Sequence, residues 1–206
     1  MLSVRPRLAR TAIAAAIVIG AASASIAATT TYEIDKAHSH ITFKIRHLLS
    51  KTIGRFTQFG GTIVVDPDKR DSVKAEASID VVSIDTDEPK RDNHLRGEDF
   101  FDVAKFPKMT FTGGKLSSVN SDRTRGKLEG TLTIRGISKP VVLDVEWYGT
   151  GVDPFGNQKA AFAGKTTLNR KDFGIVWNKT LDAGGYLVGD EVDIEITVEV
   201  QLPKAQ

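Results

Sequence analysis

From Thr29 onward the chain alternates. In Glu191–Val200, Val192, Ile194, Ile196, Val198 and Val200 take every second position, with Glu191, Asp193, Glu195, Thr197 and Glu199 between them. Successive side chains of a β-strand point to opposite faces, so this spacing separates apolar from charged residues, whereas a helix would spread both sets around its circumference. Val73–Val81 repeats the pattern, with Val73, Ala75, Ala77, Ile79 and Val81 opposing Lys74, Glu76, Ser78 and Asp80. Lys127–Arg135 repeats it again, with Leu128, Gly130, Leu132 and Ile134 on one side. A chain patterned this way folds into antiparallel sheet with one hidden face and one wet face.

Weaker copies extend the series to eight strands, starting near residues 39, 55, 72, 107, 124, 139, 157 and 190. Phe43, Ile45 and His47 fall together on the first, Met109 and Phe111 on the fourth, Leu143 and Trp147 on the sixth, and Phe162 on the seventh. The extended Tyr32–Asp35 joins the first strand, and Gly60–Gly61 predicts a bulge or bend in the second. Turn signals such as Asp66-Pro67-Asp68 and Asp153-Pro154-Phe155-Gly156 separate the strands. Two stretches break the pattern: Asp87–Ala104, with one short helix around Lys90–Gly97, and Asn169–Gly185, a structured loop. There is no repeat or linker, so residues 29–206 read as one domain.

Eight antiparallel strands hide an apolar face in a sandwich or a closed barrel. An outer-membrane barrel would turn the valines outward and bring Glu191, Asp193, Glu195 and Glu199 into a narrow lumen, where unpaired carboxylates are costly. Two Trp and three Tyr are also too few for two aromatic girdles. The apolar face therefore points inward. Its small members, Ala75, Ala77, Gly130, Ala160 and Gly164, fit either tight packing or an apolar void. Phe100, Phe101 and Phe106, outside the strands, either flank a cavity mouth or plug one end.

Residues 1–28 have a different character. Arg5, Arg7 and Arg10 precede an apolar run from Ala12 to Ala22, and small residues follow to Ala28. This is the form of a secretory signal peptide cut after Ala28, with Ala24 and Ala27 as alternative sites and an uncleaved anchor as the rival reading. Its three arginines and no acids turn the whole-chain charge of +2 into 2 − 3 = −1 for the remainder, so net charge gives no support for a nucleic-acid partner. An exported chain with no cysteine fits a bacterial periplasm, and it excludes disulfides, thiol nucleophiles and Fe–S clusters.

The polar candidates are few. His38 and His40, two apart on a strand, would share a face and could bind a metal, but no further ligands stand at motif spacing, so no metal is expected. His47 lies on the inward face, as a core histidine or as a polar group meeting a ligand. Asp92 and His94 could serve a hydrolase, yet no G-x-S-x-G elbow accompanies them, and P-loop, G-x-G-x-x-G, H-E-x-x-H and EF-hand patterns are absent. Arg91, Asp92 and the Arg170-Lys171-Asp172 group are expected to satisfy backbone groups or one another. Nothing here argues for an enzyme.

Five blocks in order resemble the YceI-like family, from Tyr32 to Val200: YEIDKAHSHITFKIRHL, GRFTQFGGTI, SIDTDEPKRDNHLRGEDFFDVAKFPKMTF, GTLTIRGISKPVVLDV and LNRKDFGI. The third is the most specific, carrying Ser83, Thr86, Arg91, Asp92, His94, Leu95, Phe100, Phe101 and Pro107; His40 is a departure. The resemblance implies an all-β, eight-stranded lipocalin-like barrel that holds a long amphiphile, a polyprenyl lipid or isoprenoid quinone, non-covalently and without a cofactor. The expected tail path runs along Phe43, Ile45, Val73, Ala75, Leu132, Leu143, Phe162 and Ile194, with the head near Arg91, His94 or His47. Carriage or storage in the periplasm is the leading expectation, with transient contact to inner-membrane or redox proteins and an open oligomeric state. Scavenging of lipophilic toxins is the alternative, and a lipid-modifying enzyme the third reading.

Overall fold

The computed structural model describes residues 29–65, 73–182 and 184–203. The expected leader, its cleavage sites and the turn at Asp66-Pro67-Asp68 lie outside the described residues. The strands are β1 (Thr30–Ile34), β2 (His40–His47), β3 (Ser50–Phe56), β4 (Phe59–Val65), β5 (Val73–Asp80), β6 (Ile84–Asp85), β7 (Lys108–Ser117), β8 (Arg125–Ile134), β9 (Ile137–Val152), β10 (Gln158–Asn169) and β11 (Val188–Gln201). One helix, α1 (Pro89–Arg96), interrupts them.

Neighbouring strands follow the order β1-β4-β5-β7-β8-β9-β10-β11, and β11 pairs back to β1, which closes the sheet. The remaining strands are extensions of this ring. β1 and β2 both pair with β11, at Val200–Gln201 and at Val188–Thr197, so they are halves of one long strand. β3 and β4 are also halves of one strand, pairing with β2 and β1. The barrel therefore has eight strands, all antiparallel, as the alternation predicts. The second begins at Ser50, earlier than its weak pattern indicates, because Ser50–Gly54 pairs with β2 through backbone groups that carry no side-chain signal.

The two breaks are stapled. The β1–β2 kink is a 3₁₀ turn at Lys36–His38, whose cap Asp35 accepts from the Ala37 amide at 3.0 Å. At the β3–β4 break the Gln58 amide donates to Ser83 Oγ at 3.0 Å, and Ser83 Oγ donates to Asp80 O at 2.6 Å. Gly60–Gly61 does not form the predicted bulge, since the β4–β5 register runs without a shift. Glycine is needed at 61 for another reason: a Cβ there would lie 2.0 Å from Glu76 O across the ladder.

The apolar rows face inward and the acidic rows outward, where Glu195 meets Lys44 at 3.2 Å and Asp193 meets Lys51 at 2.8 Å. Such exposed cross-strand pairs set register more than stability. The interior has two apolar clusters. The larger gathers Ile41, Phe56, Phe59, Ile79, Val81, Ile84, Phe100, Met109, Ile134, Phe173 and Ile175 around the end that α1 covers. The smaller, of Ala75, Leu128 and Leu143 with Ile63, Phe111, Leu116 and Val145 against it, fills the other half.

Candidate functional site

α1 begins where Glu88 accepts from the Lys90 and Arg91 amides at 3.2 and 2.6 Å, with Pro89 in the first turn, and it ends at Gly97. Its apolar content is low, so it is held by polar contacts. Arg96 donates to Val82 O and Ile84 O, both at 2.8 Å, which ties the helix to β6. Arg135 donates to Phe100 O at 2.5 Å, pinning the segment after the helix. Across the same barrel end, Arg170 holds the loop that precedes β11. It is 4% exposed and donates to Gly189 O, Ile175 O and Trp177 O, each at 2.8 Å. Burial pushes its pKa down, and Asp190 opposes that shift. Trp177 then lies edge-on to His94, with ring centroids 4.9 Å apart, and His94 lies edge-on to Phe100 at 5.0 Å. Helix and loop thus meet over the barrel as a cap.

Beneath the cap is a cavity of about 330 Å³. Its wall is almost wholly aliphatic and aromatic, including Phe43, Ile45, Phe101, Leu132, Leu168, Ile194 and Ile196. Many of these inward side chains are only half-buried, since they face open space and not one another. The polar exceptions His47, Thr52, Thr86, Arg91, His94 and Arg170 cluster at the cap end, and Thr166 stands further down, beside Ile194. Arg91 is aimed by a short relay. Asp92, 6% exposed, accepts from the Thr86 amide at 3.0 Å and from Thr86 Oγ1 at 2.5 Å; Thr86 in turn accepts from Arg91, 2.8 Å at Oγ1 and 2.6 Å at its carbonyl.

Of the residues singled out from sequence, Phe43, Ile45, His47, Leu132, Leu143, Ile194, Arg91 and His94 lie on the cavity wall. Val73, Ala75 and Phe162 do not, which corrects the expected tail path. Ala75 belongs to the second cluster, Val73 lies two residues from it on β5, and Phe162 meets Trp147 edge-on at 4.8 Å. The choice between packing and void resolves by position, with packing in the far half and a void under the cap. His47 is exposed on the rim, so it is no core histidine. Phe100 and Phe101 line the cavity, whereas Phe106 lies over Gly136.

Asp92 turns to Thr86, and His94 instead pairs with Asp99 at 2.9 Å, so the two do not form a hydrolytic pair. His38 and His40 do not share a strand face either: His38 sits in the 3₁₀ turn against Asp35 at 3.0 Å, and His40 begins β2. The atoms of Asp35, His38 and Glu199 gather within 4.8 Å, but the Lys159 ammonium contacts both carboxylates there and supplies the positive charge. Sequence reasoning missed Trp177 and Ile175 as cap residues; Arg170 finds the backbone partners expected of it, and two of them are the carbonyls of these residues. The apolar residues inside RKDFGIVWN were the available signal.

The model of the YceI-like domain matches residues 32–200. The chain belongs to the YceI-like family. It is 38% identical over 173 residues to a UPF0312 protein of Shewanella oneidensis, covering 82% of this chain and 85% of that one. The YCEI protein of Campylobacter jejuni superimposes with a TM-score of 0.65 at 35% identity, covering 82% and 96% of the two chains. A polyisoprenoid binding domain from Saccharophagus degradans shares the fold, with a TM-score of 0.59 at 14% identity over 84% and 98%.

Proposed function

We propose that this YceI-like barrel binds the apolar tail of an isoprenoid amphiphile, a polyprenyl lipid or isoprenoid quinone, without chemically altering it. The observation that carries this reading is the polarity of the cavity: an apolar bore whose hydrogen-bonding side chains, Thr166 apart, stand at the capped end. A buried methylene is worth about 0.8 kcal/mol, so a tail can be held with little help from its head. Arg91 and His94 offer donors to an acceptor oxygen of the head, and His47 stands on the same rim. Membership of the family supports the reading, as does the shared fold with a domain described as polyisoprenoid binding.

The leader-like residues 1–28 add the proposal that the protein works in the periplasm, carrying or storing its ligand there, with transient contact to inner-membrane or redox proteins. Organic extraction of protein purified from its native cells, followed by mass spectrometry, tests the core of this. A stoichiometric prenyl-containing lipid is expected, and an empty protein that takes up no prenyl lipid when offered one would refute the reading. Displacement of that lipid by an unrelated hydrophobic drug at equal affinity would favour the scavenger instead.

A further inference from the structure

We infer that Phe111 is the floor of the cavity and sets the length of tail the barrel accepts; this rests on the isoprenoid reading above. The register shows how. Ala77, Phe111 and Leu132 lie side by side on β5, β7 and β8, and all three line the cavity. One step further from the cap, Ala75, Gly113 and Gly130 lie side by side, and none of them lines it. These three project almost nothing into the bore. The Phe111 ring fills the space they leave. A Cβ on Gly113 would lie 2.9 Å from the ring and one on Gly130 2.6 Å, so both glycines are required for the ring to rest there. Phe111 packs on Ala75, Leu128 and Leu143, and together they close the passage into the far half.

The volume sets the length. A 150 Å³ cavity holds benzene, roughly 25 Å³ per carbon, so 330 Å³ takes about 13 carbons, between two and three isoprene units. Longer tails leave the surplus outside the bore. Removing a phenyl ring frees room for about six carbons, or roughly one more unit.

The test titrates wild type, Phe111→Ala and the milder Phe111→Leu, each carrying Trp147→Phe so that Trp177 alone fluoresces, with prenyl alcohols of 10, 15, 20 and 45 carbons. Circular dichroism checks that each variant is folded. In wild type, affinity is expected to rise roughly tenfold or more from 10 to 15 carbons, then change less than about threefold. In Phe111→Ala the plateau moves to 20 carbons, and Phe111→Leu falls between. Affinity that keeps climbing to 45 carbons in wild type, or a plateau unmoved in both folded variants, overturns the floor while leaving isoprenoid binding intact. No binding at any length in any of the three proteins overturns the isoprenoid reading itself, and the floor with it.

Discussion

Asp35 stands where the barrel closes, and replacing it with asparagine tests how much that closure depends on charge. Its backbone amide donates to Glu199 O at 2.8 Å, and its carboxylate accepts from the Ala37 amide, from His38 and from Lys159, which also reaches Glu199 at 3.0 Å. The hydrogen bond from Lys159 is the main reason its pKa falls from the usual 3.8 to about 2; burial opposes the shift, and His38 and the Ala37 amide add to it. Both side chains of the pair are 13% exposed, so solvent screens them little. The difference is worth about 2 kcal/mol. Because the folded-state pKa is the lower one, this stability is fully present above about pH 4 and is lost as pH falls through about 2. Asp35→Asn keeps the shape and cannot ionise. Urea unfolding followed by circular dichroism should place the variant about 2 kcal/mol below wild type at pH 7, with the gap closing between pH 4 and 2. A gap that stays constant across that window would refute the argument, and so would no gap at pH 7.

Three further outcomes follow from the packing and the cap. Arg170→Met strands the carbonyls of Gly189, Ile175 and Trp177, so it should cost about 3–5 kcal/mol in urea unfolding and loosen the cap, seen as faster hydrogen exchange across 174–178. Ile84→Ala, at a side chain with 0% exposure, should cost about 2–5 kcal/mol in the same assay. In Trp147→Phe the fluorescence comes from Trp177, and adding a short prenyl alcohol should shift its emission to the blue as the cavity wall dries; an unchanged spectrum with binding shown by calorimetry would place the ligand elsewhere.

Alternation made most of the barrel legible, since β11 and β8 expose their two faces residue by residue. It failed where side chains do not decide the pairing. Ser50–Gly54 pairs through its backbone alone, and Gly61 is fixed by the approach of Glu76 O, a partner that cannot be read from a single strand. The site was half legible for a related reason. The inward face of each strand can be read locally, so Phe43, Ile45, Leu132 and Ile194 were found. The depth of each residue along the bore depends on how neighbouring strands are staggered, and that misplaced Val73, Ala75 and Phe162. The cap was the least legible part, because Arg170 acts on carbonyls 5, 7 and 19 positions away and Arg96 on carbonyls 12 and 14 away, and no spacing rule points to those.

The placement of the void follows from what each barrel end is made of. A void of 330 Å³, at about 24 cal/mol per Å³, forgoes roughly 8 kcal/mol of packing, comparable to the whole stability of an ordinary domain. Such a void persists only where the walls are held independently of what fills them, and here the closed backbone ladder holds them. At the far end Leu128 and Leu143 are themselves the filling, so opening a path there would unpack a cluster. At the cap end the cover is helix and loop, fastened by arginine side chains to carbonyls and by the packing of Phe100, Phe173 and Ile175. Those contacts can part while every strand stays paired. On the proposed function, a ligand too long to be admitted without a breach enters and leaves beneath α1 and Trp177, where opening releases hydrogen bonds that water can replace and the contact of Trp177 with Phe100, but leaves the strand ladder whole.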